Sequence, residues 1–193
     1  MLRSREPQRN QATAGFTLIE LLVVVAILGV LASIAIPSFL LYARRARAAE
    51  ATSNLNELFQ TASALYSRHT GADGAIQGIG AQVVTNCVAP STPLSPANPG
   101  VNKQKFPGGG GFKLMDFTIA DYVYFGYAIE SAAGVAPGLT CGFPAGTPNL
   151  YTFVAQADLD GDAILSRFEL AAGSDAEDTL YHARGFHIVN ETE

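Results

Sequence analysis

The sequence is short of positive charge, of cysteine and of the signatures that catalysis needs, and each shortage removes a class of function. Only 12 lysine and arginine residues stand against 17 aspartate and glutamate, a formal net charge of −5. Arg3, Arg5 and Arg9 face a single Glu6 in the first fifteen residues, so a chain that lost that segment and its +2 would carry −7. Sequence-independent nucleic-acid binding needs a basic face, and no surplus is available to build one. DNA binding by an assembly of such chains, or by a partner, stays open. There are two cysteines, Cys87 and Cys141, and no Cys-x-x-Cys pair to support a zinc or thioredoxin-like reading. Gly108 to Gly111 lack the Gly-Lys-Ser/Thr ending and the preceding strand of a phosphate-cradling loop. There is no nucleophile elbow and no zinc-protease histidine pair. His69, His182 and His187 are scattered and read as packed or surface side chains. Nothing here argues for an enzyme.

Charge is scarcest between Phe16 and Leu41, where Glu20 is the one ionisable side chain. At about 1.5 Å of rise per residue, a helix of this length exceeds the roughly 30 Å hydrocarbon core of a bilayer. A helix satisfies its own backbone there, so a membrane span is the expectation. A secretory signal has a shorter apolar core, and its small-residue cleavage site follows the run. Here Ala14 and Gly15 precede it, so a cut at that point leaves the helix in the mature chain. A carboxylate inside a lipid-facing helix costs roughly 2.5–3.5 kcal/mol and calls for a partner, unless it snorkels to the headgroups. A cut after Gly15 would supply one: the new amine of Phe16 lies four residues from Glu20 on the same helical face.

An arginine-bearing leader, then Gly15-Phe16-Thr17-Leu18-Ile19-Glu20, then an apolar helix resembles the class III signal of type IV prepilins and type II secretion pseudopilins. The likeness covers about residues 9–45, and the remainder matches mainly in layout. It implies cleavage between Gly15 and Phe16 by a membrane prepilin peptidase and N-methylation of Phe16. Glu20 falls at the position of the family's pairing glutamate, which registers an incoming subunit on a neighbour's N-terminus. Gly29 and Pro37 fall where many type IV pilins weaken the helix, and the physics agrees: Pro37 lacks an N–H and crowds the Ser33 carbonyl. Local unwinding between them in a filament is expected. The resemblance implies a structural subunit of a pilus for adhesion, motility or DNA uptake, with a secretion pseudopilin as the alternative. Its partners would be copies of itself, related pilins, the peptidase and an inner-membrane assembly platform. It would wait in the bacterial inner membrane and end in an extracellular pilus or a periplasmic pseudopilus. From another class, a single-span calcium-binding protein that never polymerises is also compatible.

The expected organisation is a leader over 1–15, a membrane and filament-core helix over 16–42, the amphipathic half of that helix over 43–70, and a β-rich domain over 71–193. Arg44, Arg45 and Arg47 follow the span, so charge alone does not orient it. The resemblance puts the leader inside, and the three arginines then become candidates to cap the buried length at the outer headgroups. Beyond Tyr42, Ala48, Ala51, Leu55, Leu58, Phe59, Ala62, Leu65 and Tyr66 recur at three- and four-residue steps, predicting one helix from Phe16 to about His69 with its second half on a sheet. Residues 71–111, with five prolines from Pro90 to Pro107, read as irregular surface loop apart from a short apolar piece at Gln82-Val83-Val84. Strands are expected over 112–119, 122–129, 150–157, 167–171 and 181–189. The fold class is α+β: a long N-terminal helix packed on a small antiparallel sheet, which is also the pilin layout. In an oxidising compartment Cys87 and Cys141 would form one disulfide worth roughly 4 kcal/mol; the alternative is two unpaired buried thiols.

Asp158, Asp160 and Asp162, with Ser166 and Glu169 beyond, resemble a calcium-binding EF-hand loop. The loop departs from that pattern, with Ala163 where the turn calls for glycine. Glu169, on a strand, would also face away from Phe168 and Leu170. Calcium is one reading and an exposed Asp-Gly hairpin turn the other.

Overall fold

The structure, a computed structural model, describes residues 15–68 and 85–191. By its internal contacts the chain forms two units, Met1–Leu40 and Leu41–Glu193, and helix α1, Leu18–Tyr66, begins in the first and ends in the second. Its last turn tightens, with Arg68 N–H donating to the Leu65 carbonyl at 3.1 Å. His69 and the Gln82–Val84 piece lie outside the described residues.

In the first unit α1 is apolar on every side and no residue of it is buried. It is the one helix among the described residues long and apolar enough to cross a membrane. In the second unit the same helix becomes one-sided. Ala48, Ala51, Leu55, Leu58, Ala62, Leu65 and Tyr66 are buried at steps of three and four, while Phe59 is half-buried at the stripe's edge.

That stripe packs on an antiparallel sheet. Its strands are β1 (Thr92–Ser95), β4 (Gly126–Ser131), β5 (Tyr151–Ala157), β6 (Ser166–Ser174), β7 (Leu180–His182) and β8 (His187–Val189). They run β1-β4-β5-β6-β7, and β8 also pairs with β6. Every second side chain faces the helix: Tyr127 and Ile129, then Tyr151, Phe153, Ala155 and Ala157, then Phe168, Leu170 and Ala172. Two of the buried tyrosines accept hydrogen bonds: Tyr127 Oη from Asn54 at 2.6 Å and Tyr151 Oη from the Ala89 N–H at 2.7 Å. Burial pushes both phenols well above their ordinary pKa.

Four expectations are corrected. In place of one strand over 122–129 there are two, Tyr122–Val123 and Gly126–Ser131, and they belong to different sheets. The proline-rich stretch is not all loop. β1 is a sheet edge, where Pro93 needs no N–H for a ladder, and β2 (Gln104–Lys105) pairs with β3 (Tyr122–Val123). Residues 112–119 are not a strand. Gly110–Leu114 is a short helix, α2, that buries Phe112, and Met115 is buried just past its end. Glycine is required at its start, because a Cβ on Gly111 would sit 2.6 Å from the Pro90 carbonyl oxygen. The 181–189 strand is two strands, since 183–186 place four residues opposite two of β6 and interrupt the pairing. Of the two readings of the cysteines, the structure has the disulfide, Cys87–Cys141. The bridge between neighbouring Val88 and Thr140, at 2.8 and 3.0 Å, places them side by side.

Candidate functional site

The segment that carries the prepilin resemblance is built from its own backbone. Gly15, Phe16 and Thr17 precede α1, and Phe16 is 74% exposed. Thr17 caps the helix. Its N–H and its hydroxyl both donate to Glu20 Oε2, at 2.9 and 2.5 Å, and the Glu20 N–H donates to Thr17 Oγ1 at 3.3 Å. This is a reciprocal capping box, Thr at the cap and Glu three residues on. Glu20 thus has a partner one turn away in the uncut chain. Phe16, Ile19, Glu20, Val23 and Val24 line one shallow face. Gly29 and Pro37 are helical and α1 is unbroken through both. Two further hydroxyls bond back to their own helix: Ser33 to the Val30 carbonyl at 2.7 Å and Ser38 to the Ile34 carbonyl at 3.0 Å. Thr17, Glu20, Ser33 and Ser38 are the four polar side chains between Phe16 and Leu41, and all four are satisfied internally. In hydrocarbon that is what a helix needs.

The acidic loop joins β5 to β6. Asp158, Asp160 and Asp162 each bring one oxygen to within 4.8 Å of the others. Asp158 holds the turn by accepting from the Gly161 and Ala163 N–H groups, at 2.6 and 3.1 Å, and Asp162 accepts from the Ile164 N–H at 2.8 Å. Ala163 takes the left-handed conformation, φ 71°. The other two candidate ligands do not join the cluster. Ser166 is buried, its hydroxyl donating to the Ala157 carbonyl at 3.0 Å. Glu169 pairs with Arg167 and, at 3.2 Å, with His187 Nδ1. Hydrogen bonding and charge from Arg167, with His187 adding, hold its carboxyl below the usual range.

Two of the three arginines, Arg44 and Arg47, have partners in the domain that sequence reasoning missed. Arg44 is not left to cap a lipid surface: its Nη1 lies 3.0 Å from Asp160 Oδ2. Arg47 donates to the Leu159 carbonyl at 3.4 Å and covers the Tyr124 ring at 4.8 Å. Only Arg45 of the three is exposed. One turn on, Glu50 accepts from the Tyr124 and Phe125 N–H groups at 2.8 and 3.3 Å. A signal was present. Arg44, Arg47, Glu50 and Asn54 step by three, three and four, in parallel with the buried stripe and beside it.

Residues 10–36 match the family model described as the prokaryotic N-terminal methylation motif. The chain is 47% identical over 58 residues to a protein named type IV major pilin protein PilA from Myxococcus xanthus, covering 30% of this chain and 26% of that one. It is 41% identical over 76 residues to the fimbrial protein EcpC of Eikenella corrodens, covering 38% and 50%. It is 50% identical over 48 residues to a fimbrial protein of Pseudomonas aeruginosa, covering 25% and 31%. The chain thus spans about a quarter to a half of the length of these curated relatives. No solved structure matches it. An apolar capped helix, the motif at its head and these relatives agree: the chain carries the N-terminal methylation motif of class III prepilins, and type IV pilins and fimbrial proteins are its homologues.

Proposed function

We propose that the protein is a structural subunit of a type IV pilus, with no enzymatic activity of its own. Its precursor sits in the bacterial inner membrane on residues 16–42. Prepilin peptidase cuts between Gly15 and Phe16, the new amine is methylated, and an assembly platform moves the subunit into an extracellular filament. The apolar surface that faced lipid then faces neighbouring helices. Since lipid and leucine are equally apolar, packing and polar pairing must set the registry. Glu20 supplies that pairing by exchanging Thr17 for the Phe16 amine of a neighbouring chain, and Gly29 and Pro37 let the helix loosen as it packs. The globular part beyond residue 70 stays outside, where its disulfide is kept oxidised.

The observation that carries this reading is the apolar half of α1, unburied along its whole length behind a matched methylation motif. The test is N-terminal sequencing with intact mass of the protein from its native membrane. A mature chain that begins at N-methylated Phe16 is expected. Retention of Met1 to Gly15 in sheared filaments, or in the only form found, overturns it.

A further inference from the structure

The acidic loop resembles one that closes around calcium, so the source of its counter-charge is a question the side chains can answer. Calcium takes six to eight oxygen ligands. The loop clusters three carboxylates, two of which hold the turn through backbone N–H groups, and Ser166 and Glu169 are engaged elsewhere. One feature favours an ion: Asp160 Oδ1 is buried without a hydrogen-bond partner. The other oxygen of that carboxylate already faces a fixed cation. Arg44 and Asp160 meet at 3.0 Å with side chains only 30% and 17% exposed. A divalent ion sharing Asp160 would lie a few ångströms from the guanidinium and be repelled by it. The donor set therefore does not fit calcium.

We infer that Arg44 is the resident cation of the β5–β6 loop. A side chain of α1 supplies the positive charge that an ion supplies in the loops this one resembles, and the hold of the helix on the loop is independent of calcium. The same run of α1 completes the clasp. Arg47 takes the Leu159 carbonyl and stacks on Tyr124, whose ring the Lys103 ammonium also approaches, 5.1 Å from the centroid. Glu50 then fastens the backbone of Tyr124 and Phe125. Leu159, whose carbonyl Arg47 takes, is 2% exposed and anchors the loop in the core. A planar guanidinium suits this place because it holds its charge at every relevant pH and sheds water more readily than an ammonium.

The test is a set of thermal melts of the full chain in detergent micelles, followed by circular dichroism in millimolar calcium chloride or in EGTA. The wild-type midpoint is expected to be the same in both. Arg44→Gln and Asp160→Asn should each lower it by about 4 °C in EGTA. The double variant should fall no further than the lower of the two. Arg44→Lys, which keeps the charge, should fold, lose less and stay indifferent to calcium. A wild-type midpoint that rises in calcium, an Arg44→Gln midpoint equal to wild type, or additive losses in the double variant would each overturn the inference. None of these readouts involves filaments, so failure here leaves the pilus reading untouched, and failure there leaves this one.

Discussion

Two stretches of a single helix, 18–40 and 48–66, obey different rules. Both keep one helical backbone across positions that include Gly29 and Pro37. In the first, leucine, isoleucine and valine point every way and large side chains such as Leu28 and Val30 are 57% and 66% exposed. In the second, burial falls on one stripe, and Glu50 and Asn54 beside it take partners in the domain. A helix apolar all round asks for lipid or other helices, whereas a striped one asks for a single surface. The difference shows that helicity is not what divides this chain. What each length requires of its surroundings divides it.

The largest effect that could break this contrast comes from matched truncations. Leu55→Ala removes a side chain with no exposure and should cost the domain about 2–5 kcal/mol. Leu28→Ala, at an exposed position of the other stretch, should leave the domain melt where it was. Denaturant titrations in micelles, read by tyrosine absorbance, compare them. Equal losses would mean that the apolar stretch is part of the folded core.

How far this was legible in the sequence follows the same division. The buried stripe was readable residue by residue, because three- and four-residue steps leave no second helical face to choose. The capping box was written as Thr17 and Glu20, yet a cut after Gly15 offers Glu20 a charged partner at Phe16 that hides the neutral one at Thr17. The short helix at Gly110–Leu114 was hidden because aromatic and long side chains favour strands in general, while here three glycines in positive φ set up a helical turn. β1 was hidden by prolines, which are barred from a central strand and not from an edge. The arginine clasp was least legible. A basic cluster after an apolar run is explained equally well by headgroups, and the clasp's partners lie 74 or more residues away.

Within the apolar stretch itself, Pro37 should be the most costly residue. Pro37→Ala restores an N–H for the Ser33 carbonyl and relieves its crowding, worth about 3 kcal/mol in a helix interior. Hydrogen exchange in micelles should slow around residues 33–38 with no change in the domain melt. If the proline sits without strain at no local cost, exchange stays the same and the idea of a built-in weak point fails. Thr17→Ala is smaller, about 1 kcal/mol, and confined to the first turn. Its readout is fraying of residues 18–21 by exchange, and wild-type protection there would mean that Glu20 already has another partner.

The smallest effect belongs to the far face of the sheet, against which α1 does not pack, and it sharpens the contrast by leaving both halves of the helix alone. Glu169 has a carboxyl held below its ordinary pKa, chiefly by the hydrogen bond from Arg167, with the charges of Arg167 and His187 adding. A depressed folded-state value means that its contribution is fully present above the unfolded pKa of about 4.3 and is lost as pH falls through the lower folded value. Glu169→Gln should therefore flatten the acid side of the stability profile below about pH 4.5. It should change little near neutrality beyond the loss of a partly exposed pair. The variant also leaves the Asp158, Asp160 and Asp162 loop intact, so its melt should respond to calcium no more than the wild type does. A profile that keeps its acid slope would mean that the pairing of Glu169 with Arg167 and His187 does not set it.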